Sequence, residues 1–274
     1  IISFWLFNTV VKSLLHKNTN PWKATMVSGW ALDPKGRKMS KSKGNVISPQ
    51  KMTEKYSADA LRYWAAGSNL GEDARFQEKE LVTGTKTITK LWNASKFVLS
   101  MAEEVQEPKE FNPIDKWLLS KLTKTIAKAT NAFENYEYSV AKKEVDNFFW
   151  SVFSDNYIEM VKDRIYNKKD DADAAKFVLR TSMISILKLF APIMPHVTEE
   201  IYYNTFGFKQ SIHISDWPKI DYSYPEEEIG DKALEIITEI RKFKSNEKMA
   251  MNQPIKEVIL NDKSLTDIMD TIKS

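Results

Sequence analysis

The chain has 274 residues, long enough for one large domain or two ordinary domains with cores of their own. Hydrophobic residues make up 42% and charged residues 28%, as in ordinary globular proteins, and the formal net charge is only +3, so any nucleic-acid binding depends on local basic patches. The absence of cysteine excludes disulfides and cysteine-based zinc sites, and the few histidines lack metal-ligand spacing, so no metal site is predicted.

The N-terminal segment is strongly apolar. Phe4, Phe7, Val11 and Leu14 recur at helical spacing, which predicts a buried helix over residues 2–16. The segment lacks the basic start and cleavage site of a signal peptide, and it is shorter than the roughly 18 apolar residues of a membrane span. We therefore expect no membrane association and a cytoplasmic location. Because the chain begins with two isoleucines and no methionine, we also expect it to be a piece of a longer protein.

A lysine-rich loop follows a predicted short strand at 26–28 and a predicted turn at 33–36. Residues 38–45 read KMSKSKGN: three lysines alternate with two small hydroxyl residues, and the Gly-Asn pair that follows tolerates positive φ. Ammonium groups and hydroxyls on a mobile loop suit a polyanion, and phosphate is the obvious ligand. Composition alone leaves two alternatives, a solvated surface loop and a basic patch for nucleic acid.

Helical patterns dominate the sequence after this loop. Ser57 is a predicted N-cap and Asn112 is a second, with Pro113 in the first helical position. Short strands are predicted at 212–214 and 254–260. Ser264 is expected to cap a last helix. Apolar residues at helical spacing predict helices over about 58–66, 78–104, 113–133, 139–166, 172–190, 195–206 and 229–243.

Two stretches resemble class I aminoacyl-tRNA synthetases. KMSKS at 38–42 matches a signature of that family letter for letter, with GWALD at 29–33 before it and GNVI at 44–47 after it. APIMPHVTEEI at 191–201 is similar to a signature of the anticodon-binding domains in the same subclass. A match of this length in residue order is far more specific than a cluster of lysines.

Three further stretches narrow the resemblance. DALRYW at 59–64 is similar to a pattern in the branched-chain synthetases, where a stem-contact fold joins the catalytic domain to a helical domain. GEDARF at 71–76 and TKLWNASKF at 89–97 resemble the valyl-tRNA synthetases more than the isoleucyl or leucyl enzymes, which stay open as alternatives. The resemblance implies a mainly α fold in three parts: the end of an α/β Rossmann-type catalytic domain with the stem-contact fold (1–108), a helical-bundle anticodon-binding domain (109–222) and the start of a small C-terminal α/β domain (223–274).

The resemblance also implies a reaction. Such enzymes activate an amino acid with ATP and transfer it to tRNA, so we expect valine, ATP with Mg²⁺ bound through it, and tRNA(Val) as ligands of the full-length protein, which we expect to be a monomer. Lys41 and Lys38 are the expected catalytic residues, because lysines over the departing pyrophosphate stabilise the transition state more than the ground state. Lys38, Met39, Ser40, Lys41 and Ser42 together are expected to bind ATP, on a loop that closes for chemistry and opens for release.

The family's HIGH motif, amino-acid pocket and editing domain are not found in the sequence. We therefore expect them upstream, and we predict that this chain alone neither activates valine nor edits mischarged tRNA. His196 is expected to make structural hydrogen bonds, while Arg62 is either a surface cation or part of the stem-contact pattern. The alternative from another class is an RNA-binding module without enzymatic activity. Its candidate residues are Lys142, Lys143, Lys162, Arg164, Lys168 and Lys169, near Trp150, Tyr157 and Tyr166.

Overall fold

The structure is a computed structural model, which describes residues 1–102, 105–206, 210–225, 227–251 and 253–259. Over these ranges the chain is mainly helical, and its two strands are short. The predicted mainly α fold class is therefore confirmed. None of the helices in the described ranges is long and apolar enough to cross a membrane.

The N-terminal part contains short elements around a small parallel sheet. In chain order they are a π-helical turn (Ile2–Leu6), α1 (Phe7–Lys17), β1 (Ala31–Leu32), α2 (Pro49–Tyr56), α3 (Ala58–Ala65) and β2 (Ala74–Arg75). Strands β1 and β2 pair in parallel, with Ala31 opposite Ala74. The predicted strand at 26–28 is wrong, because this stretch joins no ladder. Its backbone contributes an isolated contact, in which Val27 O accepts a hydrogen bond from Gly71 N at 3.1 Å.

Helix α1 presents an exposed apolar face. The helix lies where the sequence predicts it, but its predicted burial is wrong, since Phe4 and Phe7 are 77% and 61% exposed. Within the described residues its main packing partner is the π-helical turn before it, where Trp5 stacks on Trp22 with ring centroids 6.0 Å apart. Apolar periodicity identifies the face that a helix can bury, whereas burial itself needs a neighbouring surface.

Side-chain caps set the start of several helices. Ser57 Oγ accepts a hydrogen bond from Ala60 N at 3.3 Å, which confirms the predicted cap of α3. Asn112 Oδ1 accepts one from Ile114 N at 3.1 Å, and Pro113 follows it as the first helical residue. These side chains satisfy backbone N–H groups that have no partner inside the helix.

A bundle of long helices forms the main core. Its elements are α4 (Glu78–Met101), α5 (Pro113–Glu134), α6 (Tyr138–Asn147), a π-helical segment (Phe148–Tyr157), α7 (Ile158–Tyr166), α8 (Ala172–Phe190), α9 (Pro195–Phe206) and α10 (Glu227–Asn246). Trp117, Phe149 and Phe190 are fully buried in this core. The helix predicted over 139–166 is confirmed as one continuous helical stretch. The π-helical segment in its middle was not predicted.

A buried ion pair ties the start of α5 to α7. The Asp115 carboxylate is fully buried and accepts two hydrogen bonds from the Arg164 guanidinium, at 2.9 and 2.8 Å, and one from the Tyr157 hydroxyl at 2.6 Å. Burial, together with the Asp115 charge, raises the pKa of Tyr157 well above its ordinary value, so its hydroxyl keeps the proton that it donates. Buried charges are tolerated only when they are paired in this way.

Helix α10 packs against α5 through a close contact. Gly230 lies against the Trp117 ring, so closely that a Cβ at this position would be 2.1 Å from Trp117 Cγ. The Trp117 indole donates to Asp231 at 2.9 Å, and Lys121 contacts the same carboxylate at 2.8 Å. The predicted domain boundaries, including the one between 222 and 223, stay predictions.

Two of the predicted strands are wrong over the residues that the structure describes. Ile212–Ile214 forms a 3₁₀ turn, because Ser211 Oγ accepts from His213 N and the Glu199 carboxylate accepts from Ile212 N, so local side chains replace a strand partner. The described part of the second strand, 254–259, is not extended into a sheet. Ser264 and the final predicted helix lie outside the described residues.

Candidate functional site

The lysine-rich loop begins at a tight turn after β1. Asp33 N donates to Arg37 O and Gly36 N donates to Asp33 O, each at 2.8 Å. Gly36 adopts a φ of 76°, which glycine reaches without a steric penalty. The turn predicted from the sequence at 33–36 is confirmed, and it delivers the chain to Lys38 at the base of the loop.

The Asp33 carboxylate organises this turn from a nearly fully buried position. It accepts hydrogen bonds from the Asn45 side-chain amide at 3.0 Å and from the backbone N–H groups of Lys35 and Arg37 at 2.9 and 2.8 Å. The Arg37 guanidinium adds a further pair of contacts at 2.9 and 2.8 Å. The Asn45 amide, followed by the Arg37 backbone, lowers the pKa of Asp33 far below its ordinary value, because each donor favours the charged form.

The Asn45 side chain holds the two ends of the loop together. Its amide nitrogen donates to Asp33 and, at 3.2 Å, to Lys38 O. Its amide oxygen accepts from Ser40 N at 3.0 Å. One side chain therefore fixes the backbone on both sides of Met39. Sequence reasoning did not single out Asp33 or Asn45 as site residues, although an acidic residue in the turn and the Gly-Asn pair after the lysines were visible signals.

The predicted phosphate-binding side chains lie around the hydrogen bonds of Asp33 and Asn45, which together form the clasp of the loop. Lys41 lies at the start of a 3₁₀ turn, Lys41–Lys43, and its exposed side chain has no hydrogen-bond or ion-pair partner among the described residues. Lys38 Nζ lies 3.7 Å from the centroid of the Trp30 ring. The Ser40 and Ser42 hydroxyls are 3.2 Å apart, while Met39 turns inward, where its sulfur accepts from Ile47 N at 3.5 Å. Lys38, Lys41 and Ser42 therefore present donors to solvent. Met39 anchors the loop.

Side chains from α3 join this N-terminal part to the bundle. Arg62 donates to Pro192 O at 2.8 Å and to Ile193 O at 3.0 Å, so its role is to hold the turn before α9. The buried Asp59 carboxylate accepts from the backbone and the Nδ1 of His196, at 3.2 and 3.1 Å. His196 therefore makes structural hydrogen bonds, as predicted. Across the described residues, no cluster of three His, Asp or Glu side chains is arranged to hold a metal ion.

The cations proposed for a free-standing RNA-binding module serve mostly as structural partners. Arg164 pairs with Asp115, and Tyr157 is fully buried. Lys142 pairs with Asp146 at 2.9 Å and lies over the ring of Tyr63 on α3. The structure therefore does not assemble the predicted set into one solvent-facing patch.

A different basic groove lies between α4 and the π-helical segment with α7. This lysine groove has a volume of about 500 Å³ and is lined by Thr85, Lys86, Thr89, Lys90, Asn93, Ala94, Phe97, Ser154, Ile158, Glu159 and Lys162. Lys86 and Asn93 are exposed, with no partner in the part of the chain that the structure describes. Lys162 Nζ is 5.5 Å from the Phe97 ring centroid, and the buried Ser154 hydroxyl has no partner within the described ranges.

Family models agree with this division into a loop-bearing part and a helical part. The model for the anticodon-binding domain of tRNA ligase matches residues 115–260, and the model for tRNA synthetases class I (I, L, M and V) matches residues 1–77. The chain therefore belongs to the class I tRNA ligases that carry this anticodon-binding domain. Within that class, its similarity is to the valine–tRNA ligases.

Individual relatives show which ligase of this class the chain resembles. The chain is 42% identical to a valine–tRNA ligase of Ehrlichia canis (strain Jake), over 95% of this chain and 34% of that protein. It is 39% identical to that of Picrophilus torridus, over 100% of this chain and 36% of that protein. The chain thus spans about a third of the length of the curated relatives it matches.

A solved structure shows the same fold. It is the ternary complex described as Agrobacterium radiobacter K84 agnB2 LeuRS-tRNA-LeuAMS, with a TM-score of 0.63 and 21% sequence identity. The match covers 78% of this chain and 26% of that chain. At this identity the likeness concerns the fold.

Proposed function

We propose that this chain supplies the phosphate-binding loop and the tRNA-binding helical domain of a valine–tRNA ligase. The observation that carries the proposal is the intact KMSKS loop joined to an anticodon-binding domain, in a chain similar to valine–tRNA ligases over nearly its whole length. The parent reaction converts valine, ATP and tRNA(Val) into valyl-tRNA, AMP and pyrophosphate. We place the protein in the cytoplasm, as a monomer.

The loop residues act in the activation step. The valine carboxylate attacks the α-phosphate of ATP and pyrophosphate leaves, with Mg²⁺ reaching the site bound through ATP. Lys41, exposed and unpaired among the described residues, contacts the departing phosphates, and Lys38 assists after it leaves the Trp30 ring. Ser40 and Ser42 add hydroxyl donors to the phosphates. Because negative charge grows on the leaving group, these contacts strengthen in the transition state.

The lysine groove receives unpaired anticodon bases. RNA-binding proteins read such bases by stacking and by hydrogen bonds to their edges, and they hold the backbone with cations. Phe97 offers an aromatic surface, Asn93 offers both a donor and an acceptor, and Lys86 offers an unpaired ammonium group within the described residues. The Ser154 hydroxyl, which has no partner among the described residues, supplies a further hydrogen bond.

The test is binding of this chain to a valine tRNA transcript and to copies with a changed middle anticodon base, over a series of salt concentrations. We expect the base change to weaken binding by more than about 1 kcal/mol at every salt, because a base contact, unlike a phosphate contact, depends on sequence. Lys86→Ala should weaken binding to all transcripts, whereas Lys219→Ala, an exposed lysine outside the groove, should not.

Equal binding of all transcripts would contradict anticodon reading by this chain. Isoleucine and leucine tRNAs would then be tested, because these two ligases are the alternatives. A transcript of either that binds more tightly than the valine transcript would overturn the valine assignment. The chain alone is expected to show no valine activation.

A further inference from the structure

The other side of α4 carries a second, larger groove, which faces α8 and α9. This tryptophan groove has a volume of about 770 Å³ and is lined by Trp92, Ser95, Lys96, Leu99, Ser100, Arg180, Ile201, Asn204, Thr205 and Phe206. Its volume lies within the roughly 300–1,000 Å³ of small-molecule sites. Among the described residues that line it, none carries a carboxylate and two carry cations, so this part of the groove favours an anion.

A buried hydroxyl in the wall of the groove has no partner among the described residues. Ser95 is 1% exposed, and within those residues its Oγ makes no hydrogen bond. Buried polar groups in proteins are nearly always paired, and leaving one unpaired destabilises the fold. A ligand that offers a donor or an acceptor at this point of the wall would remove that penalty.

The groove also presents an aromatic face beside its positive charge. Trp92 is 40% exposed, and its ring has no aromatic or cationic neighbour among the described residues. Lys96 lies one helical turn further along α4 and is likewise unpaired within the described ranges. Arg180 reaches in from α8, where its guanidinium lies 5.3 Å from the Phe206 ring and donates to Ala102 O at 3.0 Å.

The Asn204 side chain offers one further acceptor in the groove. The Asn204 amide nitrogen is used by Glu200, donating to its backbone oxygen at 2.8 Å and its carboxylate at 3.1 Å. The Asn204 amide oxygen is left without a donor in the part of the chain that the structure describes. The 2′-hydroxyl of a ribose is a donor that suits it and is present on every ribonucleotide.

We propose that the tryptophan groove binds one unpaired nucleotide of an RNA strand, with the base stacked on Trp92 and the phosphate between Lys96 and Arg180. The inference rests on the proposed function, since RNA binding by this helical domain is part of it. The lysine groove and the tryptophan groove are both lined in part by α4. Trp92 stacking, unlike edge reading, accepts any base, so this contact adds affinity without sequence preference.

The experiment measures binding of the valine tRNA transcript to wild-type chain and to Trp92→Ala, Trp92→Phe and Lys96→Ala. Trp92→Ala loses one stacked base and should weaken binding about 5- to 150-fold, equally for transcripts that differ in the anticodon. Trp92→Phe keeps an aromatic ring and should retain most of the wild-type affinity. Lys96→Ala should lower the dependence of log K on log salt by about one unit. Lys219→Ala is the matched control. Circular dichroism and thermal unfolding check that each variant is folded. We expect folding to be retained, because Trp92 and Lys96 are exposed.

Ser95→Ala gives a second, independent test. Removing an unpaired buried hydroxyl should leave the chain at least as stable and still weaken RNA binding several-fold, an outcome that a purely structural serine would not produce. Direct binding of adenosine and uridine monophosphates, measured without tRNA, distinguishes a free nucleotide from an RNA strand. If the monophosphates bind to wild-type chain and not to Trp92→Ala, while the two proteins bind tRNA equally, the RNA assignment is overturned.

The outcomes separate this inference from the proposed function. If Trp92→Ala and Lys96→Ala bind the transcript like wild type, and binding still depends on the anticodon base, the tryptophan groove is not an RNA site and the proposed function stands. If the wild-type chain binds no transcript at all, both fail.

Discussion

The lysine-rich loop and the helical bundle are held in place by different forces. The bundle buries large side chains, such as Trp117, Phe149 and Phe190, in one continuous core. The loop buries almost no apolar surface, and its conformation depends on the Asp33 carboxylate and the Asn45 amide. Apolar burial is shared by many residues and is cooperative, whereas a hydrogen-bonded clasp acts on a few backbone groups.

This difference fits the functions that we propose for the two regions. The proposed phosphate-binding loop would need a fixed base and free tips, and the exposed Lys41 lies on a base that Asn45 fixes. A helical domain that presents grooves for RNA needs fixed walls, and close packing of the core supplies them. Substitutions should therefore act globally in the bundle and locally in the loop.

The largest effect should come from breaking the buried ion pair of the bundle. Arg164→Ala leaves the Asp115 carboxylate buried without its main partner, so the free energy of unfolding should fall by about 3–5 kcal/mol in urea denaturation. Lys162→Ala is the control, since it removes an exposed pair with Glu159 on the same helix and should cost at most about 1 kcal/mol. Equal losses for the two variants would show that the buried pair does not hold the bundle.

A smaller effect in the same region should come from the contact between α10 and α5. Gly230→Ala places a methyl group inside the volume of the Trp117 ring, so α10 must shift, and the chain should lose about 1–3 kcal/mol. Hydrogen exchange should show faster exchange in α10 than in α5. Thr238→Ala, an exposed change in the same helix, should alter stability by less than about 0.5 kcal/mol. A neutral Gly230→Ala would mean that α10 is not docked on Trp117.

Protonation of the loop by acid should have the smallest effect on overall stability. It is also the clearest test of the loop. The ordinary pKa of an aspartate is 3.8, and that of Asp33 lies well below this value. Since the folded-state pKa is lowered, the contribution of Asp33 is fully present above pH 3.8 and is lost only as the pH falls through the lower, folded value. In NMR spectra, the chemical shifts of the Asp33 carboxyl carbon and of the Asn45 side-chain amide should therefore change together, with a midpoint well below pH 3.8.

Asp33→Asn is the control for this titration. The variant should lose the acid transition at Asn45 and loosen the loop at neutral pH, while the bundle unfolds as in wild type. A midpoint at the ordinary aspartate value in the wild-type chain would show that the clasp does not form in solution. Loss of bundle stability in the variant would show that the two regions are not independent.

Much of this organisation was predictable from the sequence. Helical periodicity located α4, α5 and α8, and the caps at Ser57 and Asn112 were found because capping chemistry is local. The KMSKS stretch pointed to the family because residue order in a signature is itself the signal, whereas phosphate binding by its lysines stays a prediction. The errors fell on short elements. The strands predicted at 26–28 and 212–214 failed because a strand needs a partner, which a single segment does not encode.

The sequence by itself determined the family, the helical character and the candidate phosphate-binding residues, all of which depend on local patterns or on residue order. Tertiary structure decided which polar groups meet. It placed Asn45 between Lys38 and Ser40, Arg62 on the turn before α9, and Arg164 in the core with Asp115. It also formed two grooves along α4, from side chains far apart in the chain. Long-range contacts of this kind follow from packing, and no local pattern specifies them.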